Sequence, residues 1–137
     1  MNFHDFKFKV GEIVIFCQII EANIKIIYVN LVGKNKQATW NQIEKDSLGT
    51  ICKKLETLDK NNKLLTNEDY YYLHLVAGIR NHWCHQAFIN FLYSSNDFEN
   101  TQQYKNECIK LIQDHSKLSR LYKLLEDLRI KVVKKSL

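Results

Sequence analysis

Apolar residues recur along this 137-residue chain at the three- and four-residue intervals of amphipathic helices. Residues 10–32 carry two such rows, separated by polar residues on both sides. One row holds Ile13, Cys17, Ile20, Ile24, Ile27 and Leu31, and the other holds Ile15, Ile19, Ala22, Ile26 and Val29. A surface helix of a monomer usually shows a single apolar stripe. Two stripes predict burial on both sides, either at the centre of a bundle or between the bundle and a second subunit.

Polar breaks and capping residues divide the chain into four helices. The predicted segments are a first helix over residues 10–32, a short turn over 39–45, a second helix from Asp46 or Ser47 to Leu58, a loop over 59–63, a third helix from Thr66 to about Tyr93, and a last helix from Asn96 or Asp97 onward. Gly33 or Asn35 is placed to adopt the left-handed cap of the first helix. Thr66 followed by Asp69 has the spacing of a capping box.

Composition and the last helix together indicate an all-α fold. Proline is absent and there are only four glycines, which removes most of the turn residues that β-sheets use. In the last predicted helix Tyr104, Leu111, Leu118, Leu125 and Val132 recur every seven residues, as in helix bundles. The length suits one domain with its own core. We therefore predict a single domain, residues 1–137, built as an antiparallel bundle of four to five helices.

The net charge of +5 favours a polyanionic partner. The excess is modest and is interpreted as spread along the chain. Its basic C-terminal end, Arg129, Lys131, Lys134 and Lys135, has two interpretations. These cations are suited to contact RNA phosphates, and they also complement the dipole at the end of a helix, which is the commoner role.

The four cysteines, Cys17, Cys52, Cys84 and Cys108, are widely spaced and lie among apolar residues. With no secretory leader at the N-terminus, they are interpreted as reduced core thiols of a cytoplasmic protein. Charged residues interrupt the apolar stretch over residues 10–32, so no charge-free segment approaches the roughly 18 to 20 residues that span a bilayer. We expect no membrane association.

Candidate chemistry lies in the third predicted helix, where residues 80–85 read Arg-Asn-His-Trp-Cys-His. Arg80 is one of only three arginines among the 20 basic residues, so its guanidinium is not background charge. The fixed fork of guanidinium donors suits a phosphate, and an imidazole transfers protons near neutral pH. On a straight helix Asn81 and His85 share a face, whereas Arg80 points elsewhere. A kink, the reach of the long Arg80 side chain around the helix, or the crossing of two helices at a two-fold axis is then needed to bring Arg80 and His85 to one phosphate.

Arg80, the polar residue Asn81 and His85 resemble the Arg-x4-to-6-His signature of the HEPN superfamily of small helical proteins. The resemblance implies a HEPN-like dimer that cleaves RNA without a metal or cofactor, acts as a toxin or phage-defence effector, and has an antitoxin or other regulatory partner. Its site would form at the two-fold interface of a homodimer. One HEPN subgroup has Tyr two residues after the His, and here that position is Ala87.

The resemblance implies a role for each motif residue. His85 would transfer protons, with two copies dividing the base and acid roles. Arg80 would stabilise the charge that grows on the scissile phosphate. Asn81 would orient the imidazole or bind a phosphate oxygen. His82 is a further candidate for substrate contact, although the family pattern does not require it.

Other interpretations of the same residues stay open. Arg80 is able to pair with an acid such as Glu21 of the first helix, and His85 to sit in a subunit interface. The chain would then be a non-catalytic HEPN-like module that binds a nucleotide or RNA, or a helical adaptor. Zinc binding by His82, Cys84 and His85 is disfavoured, because structural zinc sites use four ligands at open spacing. We expect no metal.

Overall fold

The structure, a computed structural model, describes residues 1–137 and contains helices and turns but no strand. The helices are α1 (Phe3–Val32), α2 (Lys36–Ile43), α3 (Leu48–Leu58), α4 (Asn67–Asn81), α5 (Ile89–Leu92) and α6 (Gln102–Lys135). A π-helical turn, His82–Gln86, follows α4, and Ala87 and Phe88 keep right-handed helical dihedrals up to α5. These three segments therefore form one continuous helical path. The chain has five helices on this count, which confirms the all-α prediction.

Three predicted helix ends are confirmed, and each depends on a local hydrogen bond or backbone conformation. Gly33 ends α1 in the left-handed region, with a φ of 73°. The Ser47 side chain caps α3 by accepting a hydrogen bond from the backbone N–H three residues later. Thr66 and Asp69 form the predicted capping box at the start of α4.

Three predicted boundaries are wrong, and two of them lie after the first helix. The last helix begins at Gln102 rather than at Asn96 or Asp97, because the Thr101 hydroxyl accepts the capping bond from Tyr104 N. The Asp97 side chain instead accepts a bond from Asn100 and belongs to a short 3₁₀ turn. The short turn predicted over 39–45 is an eight-residue helix, α2, which starts earlier.

The first helix starts seven residues before its predicted position, at Phe3. Asn2 caps it by accepting a bond from Asp5 N at 2.8 Å. The added turns bring Phe3 and Phe6 against aromatic rings from the end of the α4 path and the start of α6. The rings in contact with Phe3 or Phe6 are Trp83, Phe88, Phe91, Phe98 and Tyr104. Burial of these rings stabilises a helical start that the aliphatic pattern alone does not indicate.

Helices α1 and α6 run in the same direction. Glu12 contacts His115, and Asn23 donates to Glu126, each across a separation of 103 residues. A constant separation means that the residue numbers of the two helices rise together. The antiparallel prediction is therefore wrong for this pair.

Helix α4 has the opposite direction and packs against both α1 and α6. Early in α4, Tyr72 lies beside Lys117 and Arg120 of α6, whereas Trp83 after α4 reaches back to Asp114. Residue numbers in the two helices thus change in opposite senses. The antiparallel prediction is right for α4 against α6, and α4 returns the chain to the end of the bundle where α1 begins.

The two apolar stripes of α1 differ in burial. The first is in the core, with Ile13, Cys17, Ile20, Ile24 and Ile27 fully buried. In the second, Ile15 is 54% exposed, Ala22 is exposed, and Ile19 and Ile26 are half-buried. Val29, the last member of this row, is buried, and α1 packs against α2, α3, α4 and α6. The contacts of α1 therefore fit a central position in the bundle, while coverage of the exposed part of the second row by a second subunit stays a prediction. No helix is both long enough and apolar enough to cross a bilayer.

Asp59 fixes the loop between α3 and α4. Its carboxylate is buried and accepts bonds from the backbone N–H groups of Leu64 and Leu65 and from the hydroxyl of Tyr70. Burial, followed by the bond to Asp59, raises the pKa of Tyr70 above its usual range. One side chain thus satisfies three donors that α3 and α4 do not pair.

We expect Asp59→Ala to lower the free energy of unfolding by about 3 kcal/mol, because three donors lose a charged acceptor. Urea denaturation measures the change. Asp46→Ala is the control, since the Asp46–Lys54 ion pair is more exposed, and its loss should be about 1 kcal/mol or less. Equal losses in the two variants would contradict the role given to Asp59.

Candidate functional site

The motif lies where the path of α4 changes from α-helical to π-helical geometry. Ala87 N–H donates to the carbonyl of His82, five residues earlier, at 2.9 Å. Single π turns within α-helices are rare and are often found at functional sites. Because this turn holds one more residue than an α turn, it changes the angular relation between Arg80 and His85. That the π turn brings Arg80 and His85 to one phosphate stays a prediction.

Arg80 occupies a position that faces the α1–α4 interface. It follows the buried Val76 by four residues and precedes the buried Trp83 by three. Its Nη1 lies 3.8 Å from Glu21 Oε1 on α1, and the Arg80 side chain is 35% exposed. This separation is that of an ion pair without a hydrogen bond. The ion pair considered as an alternative is thus present, while the guanidinium donors stay available to an anion.

His85 and Asn81 are both exposed to solvent. Neither side chain hydrogen bonds to any other group of the chain. An exposed imidazole without a partner can accept or donate a proton at either ring nitrogen. Arg80, Asn81 and His85 are brought together on one helical path, but no side-chain contact joins Arg80 to His85 within one copy.

His82 differs from His85 in its surroundings. Its Nε2 lies 2.7 Å from Glu107 Oε2, and the side chain is 18% exposed. The other Glu107 oxygen accepts a bond from Asn90. His82 also packs edge-on against the ring of Trp83. The contact with Glu107 occupies Nε2, and substrate contact by His82 stays a prediction.

Two buried acids of α6 attach the π turn to the bundle, and sequence reasoning missed both. Glu107 binds His82, while Asp114 accepts a bond from Trp83 Nε1 at 2.9 Å and lies 3.5 Å from Lys110 Nζ. Both acids lie on the same face of α6 as the seven-residue apolar row. An acid on an apolar helix face needs a buried partner. The position of these two acids on an apolar face was the sequence feature that could have indicated a buried contact. It did not identify His82 or Trp83 as the partners.

Exposed apolar residues surround the motif on the outer surface of the α4 path. Tyr71, Leu75 and Ile89 are 62%, 41% and 65% exposed. Gly78 lies between Leu75 and the motif, and a methyl group added there would meet no atom within 4 Å. Packing within one copy therefore does not require a glycine at this position, although glycine weakens a helix by about 1 kcal/mol relative to alanine.

The largest concavities of the chain lie away from the motif. One, of about 520 Å³, lies at the C-terminal ends of α1 and α6, and another, of about 440 Å³, lies between Lys9 and the middle of α6. No residue of the motif lines either. No cluster of three or more His, Cys, Asp or Glu side chains is arranged to hold a metal ion.

Comparisons of the chain with protein-family models, with curated protein sequences and with solved structures give no match. Any functional interpretation therefore depends on the motif and on the contacts around it.

The four cysteines differ in accessibility. Cys17 and Cys52 are buried, Cys108 is half-buried, and Cys84 in the π turn is exposed. The prediction of a core thiol is therefore wrong for Cys84, because the π turn directs it outward while Trp83 fills the core. Burial raises the pKa of Cys17 and of Cys52 to about 12, so both stay neutral thiols at neutral pH.

We expect the native protein to react rapidly with Ellman's reagent at Cys84, because the thiolate is the reacting form and Cys84 alone is exposed. Cys17 and Cys52 should react only after denaturation. The rate of colour formation at pH 8 is measured for the wild type and for Cys84→Ser. A rapid phase that persists in Cys84→Ser would show that another cysteine is accessible.

Proposed function

We propose that the chain is a metal-independent endoribonuclease of HEPN type, acting as a toxin or defence effector, in which two copies contribute Arg80 and His85 to a shared cleft. The observation that carries the proposal is the combination of available guanidinium donors at Arg80 and an unpaired, exposed imidazole at His85, on either side of the start of a π turn. The other histidine of the motif, His82, already contacts Glu107 within the bundle.

The chemistry needs two proton-transfer groups. One imidazole removes the proton of a ribose 2′-hydroxyl, whose oxygen attacks the adjacent phosphorus. The bond from phosphorus to the 5′-oxygen breaks, and a second, protonated imidazole gives its proton to that oxygen. The products are a 2′,3′-cyclic phosphate and a 5′-hydroxyl end. Each copy has one His85, so a dimer supplies both groups.

Arg80 and Asn81 have supporting roles in this scheme. Negative charge grows on the non-bridging phosphate oxygens during attack, and the Arg80 guanidinium is suited to bind two of them. Glu21 lies 3.8 Å from Arg80 Nη1 and does not hydrogen bond to it, so the guanidinium donors stay available to a phosphate. The exposed amide of Asn81 is free to bind a phosphate oxygen or to orient an imidazole.

The outer surface of the α4 path favours a partner helix. Leu75 and Ile89 are exposed apolar side chains that flank the motif, and Gly78 leaves room for a close approach. A two-fold crossing at Gly78 would bury these side chains and bring the two motifs together. A cleft formed in this way also accounts for the position of the motif outside the large concavities of one copy.

The Arg80–Glu21 ion pair favours a second candidate function. In that function Arg80 has a structural or phosphate-binding role, and the protein is a non-catalytic HEPN-like module that binds RNA or a nucleotide. The two candidates differ in one measurable property, since the module would bind RNA and leave it intact.

We expect the wild type to cut RNA in the presence of EDTA and to leave 2′,3′-cyclic phosphate and 5′-hydroxyl ends. His85→Ala and Arg80→Ala should each lower the rate by about 100-fold or more. Gel assays on labelled RNA measure cleavage, and expression of each variant in bacteria measures toxicity. His74→Ala is the matched control, because His74 lies on α4 and contacts only Glu56 at the surface.

Three outcomes separate the candidates. Cleavage by the wild type that is lost in His85→Ala and kept in His74→Ala supports the enzyme. Binding of RNA without cleavage supports the second candidate. Cleavage that survives in His85→Ala, or that requires a metal ion, overturns the proposed mechanism.

We expect Gly78→Leu to abolish dimer formation and RNA cleavage while the subunit stays folded. A Cβ at this position meets no atom within 4 Å in one copy, and leucine has a higher helix propensity than glycine. Each subunit should therefore keep its helical fold, which circular dichroism measures. Light scattering after size-exclusion chromatography measures the mass. Gly11→Leu is the matched control, because Gly11 on α1 is also surrounded by open space.

The control also tests the position of the interface. Loss of the dimer in Gly11→Leu alone would place the contact on the exposed stripe of α1, and a wild type that is monomeric at every concentration would contradict the shared cleft.

A further inference from the structure

The positive charge of the chain is concentrated on one helix. Helix α6 contains nine basic and four acidic residues, so it accounts for the whole net charge of +5. The remainder of the chain has equal numbers of each sign. The prediction that the excess is spread along the sequence is therefore wrong.

In the folded structure the exposed surface of α6 is even more positive than its residue count indicates. Two of the four acids of α6, Glu107 and Asp114, are buried in their contacts with the π turn. Asp127 is the one exposed acid of α6. The exposed basic residues of α6 are Lys105, Lys117, Arg120, Lys123, Lys131, Lys134 and Lys135. The outer face of a helix of 34 residues, about 50 Å long, is thus strongly positive.

A groove runs beside this face where α6 packs against α1. It has a volume of about 440 Å³, and its polar lining consists of Lys9, His115, Ser116, Ser119, Arg120 and Lys123. No acidic residue lines it. One lining residue contacts an acid, because the carboxylate of Glu12 lies 3.2 Å from His115 Nε2. Arg120 also lines a neighbouring concavity that contains Glu68 and Asp69.

Arg120 of the groove, and Lys117 beside it on α6, are positioned by an aromatic ring. The guanidinium carbon of Arg120 lies 5.7 Å from the ring centre of Tyr72, and Lys117 Nζ lies 5.9 Å from the same centre. Such cation–π contacts restrict the side chains before any ligand binds. Arg120 therefore presents a guanidinium at the groove with less loss of freedom on binding.

We propose that the groove between α1 and α6 binds the sugar–phosphate backbone of RNA. Its lysines and arginine match phosphate charge, and its serine hydroxyls are suited to hydrogen bond to phosphate or ribose oxygens. RNA as the ligand rests on the proposed function, whereas the preference for a phosphodiester chain follows from the groove itself. A membrane surface is a poorer match, because only one lining residue is apolar, and interfacial helices insert an apolar face.

The groove and the motif lie on different sides of α1. Lys9 lines the groove with residues of α6, whereas Glu21 points to α4 and pairs with Arg80. Binding and cleavage can therefore be tested separately. The groove would hold a stretch of RNA whose further nucleotides reach the cleft.

The test uses full-length protein that carries His85→Ala, so that bound RNA is not cut. Lys9→Ala, Arg120→Ala and Lys123→Ala are combined in one variant. The matched control combines Lys45→Ala, Lys53→Ala and Lys60→Ala, which removes the same charge from exposed positions elsewhere. Fluorescence anisotropy measures the binding of a labelled single-stranded RNA of about 20 nucleotides at several salt concentrations.

We expect the groove variant to bind RNA at least about 10-fold more weakly and to lower the slope of log affinity against log salt by about 2, as three lost phosphate contacts imply. The control should change affinity by less than about 3-fold. Circular dichroism confirms folding, and Lys123→Glu alone gives a second readout should the triple variant fail to fold.

Equal weakening in the groove variant and the control overturns the proposal, as does binding to phosphatidylserine vesicles without binding to RNA. The outcome is independent of catalysis. If the wild type cuts RNA and the groove variant binds RNA with normal affinity, the groove proposal is overturned and the proposed nuclease is not. If the wild type never cuts RNA and the groove variant loses RNA binding, the groove proposal is supported and the proposed nuclease activity is overturned.

Discussion

The arrangement of the motif depends on two buried carboxylates of α6. Glu107 and Asp114 lie two helical turns apart on an otherwise apolar face, and each must find a partner in the bundle. Those partners are His82 and Trp83, which are consecutive residues. A regular α-helix turns consecutive side chains about 100° apart. We attribute the π turn to the requirement that both side chains reach α6.

This attachment separates the polar groups of the motif into two sets. His82 Nε2 and Trp83 Nε1 each contact a buried acid of α6, whereas His85 lies outside and keeps both ring nitrogens unpaired. Arg80 is intermediate, facing α1 but touching Glu21 only as an ion pair. In the proposed function the inner set gives rigidity and the outer set takes part in the chemistry. A reactive group gains from such support because its position is fixed before a substrate arrives.

Local features of the fold could be predicted from the sequence, and long-range ones could not. Gly33, Ser47 and Thr66 end or start helices through backbone groups within a few residues, so the signal lies beside its effect. The parallel packing of α1 and α6 joins residues 103 positions apart, such as Asn23 and Glu126. No local pattern encodes that pairing. The motif was found through residue type and spacing, but its supporting acids belong to another helix.

Helix α1 explains how one small domain can hold two polar surfaces without mixing them. The buried residues of α1 pack in the core, and the polar residues on either side of them contact different neighbouring helices. At one edge Glu21 meets Arg80 of α4, and at the other Lys9 meets the basic face of α6. Because the net charge resides on α6, a polyanion is attracted to that side first. Under the two proposals, RNA bound on that side would leave the motif side of α4 free for a second subunit, so RNA binding and dimer formation would not compete for one surface.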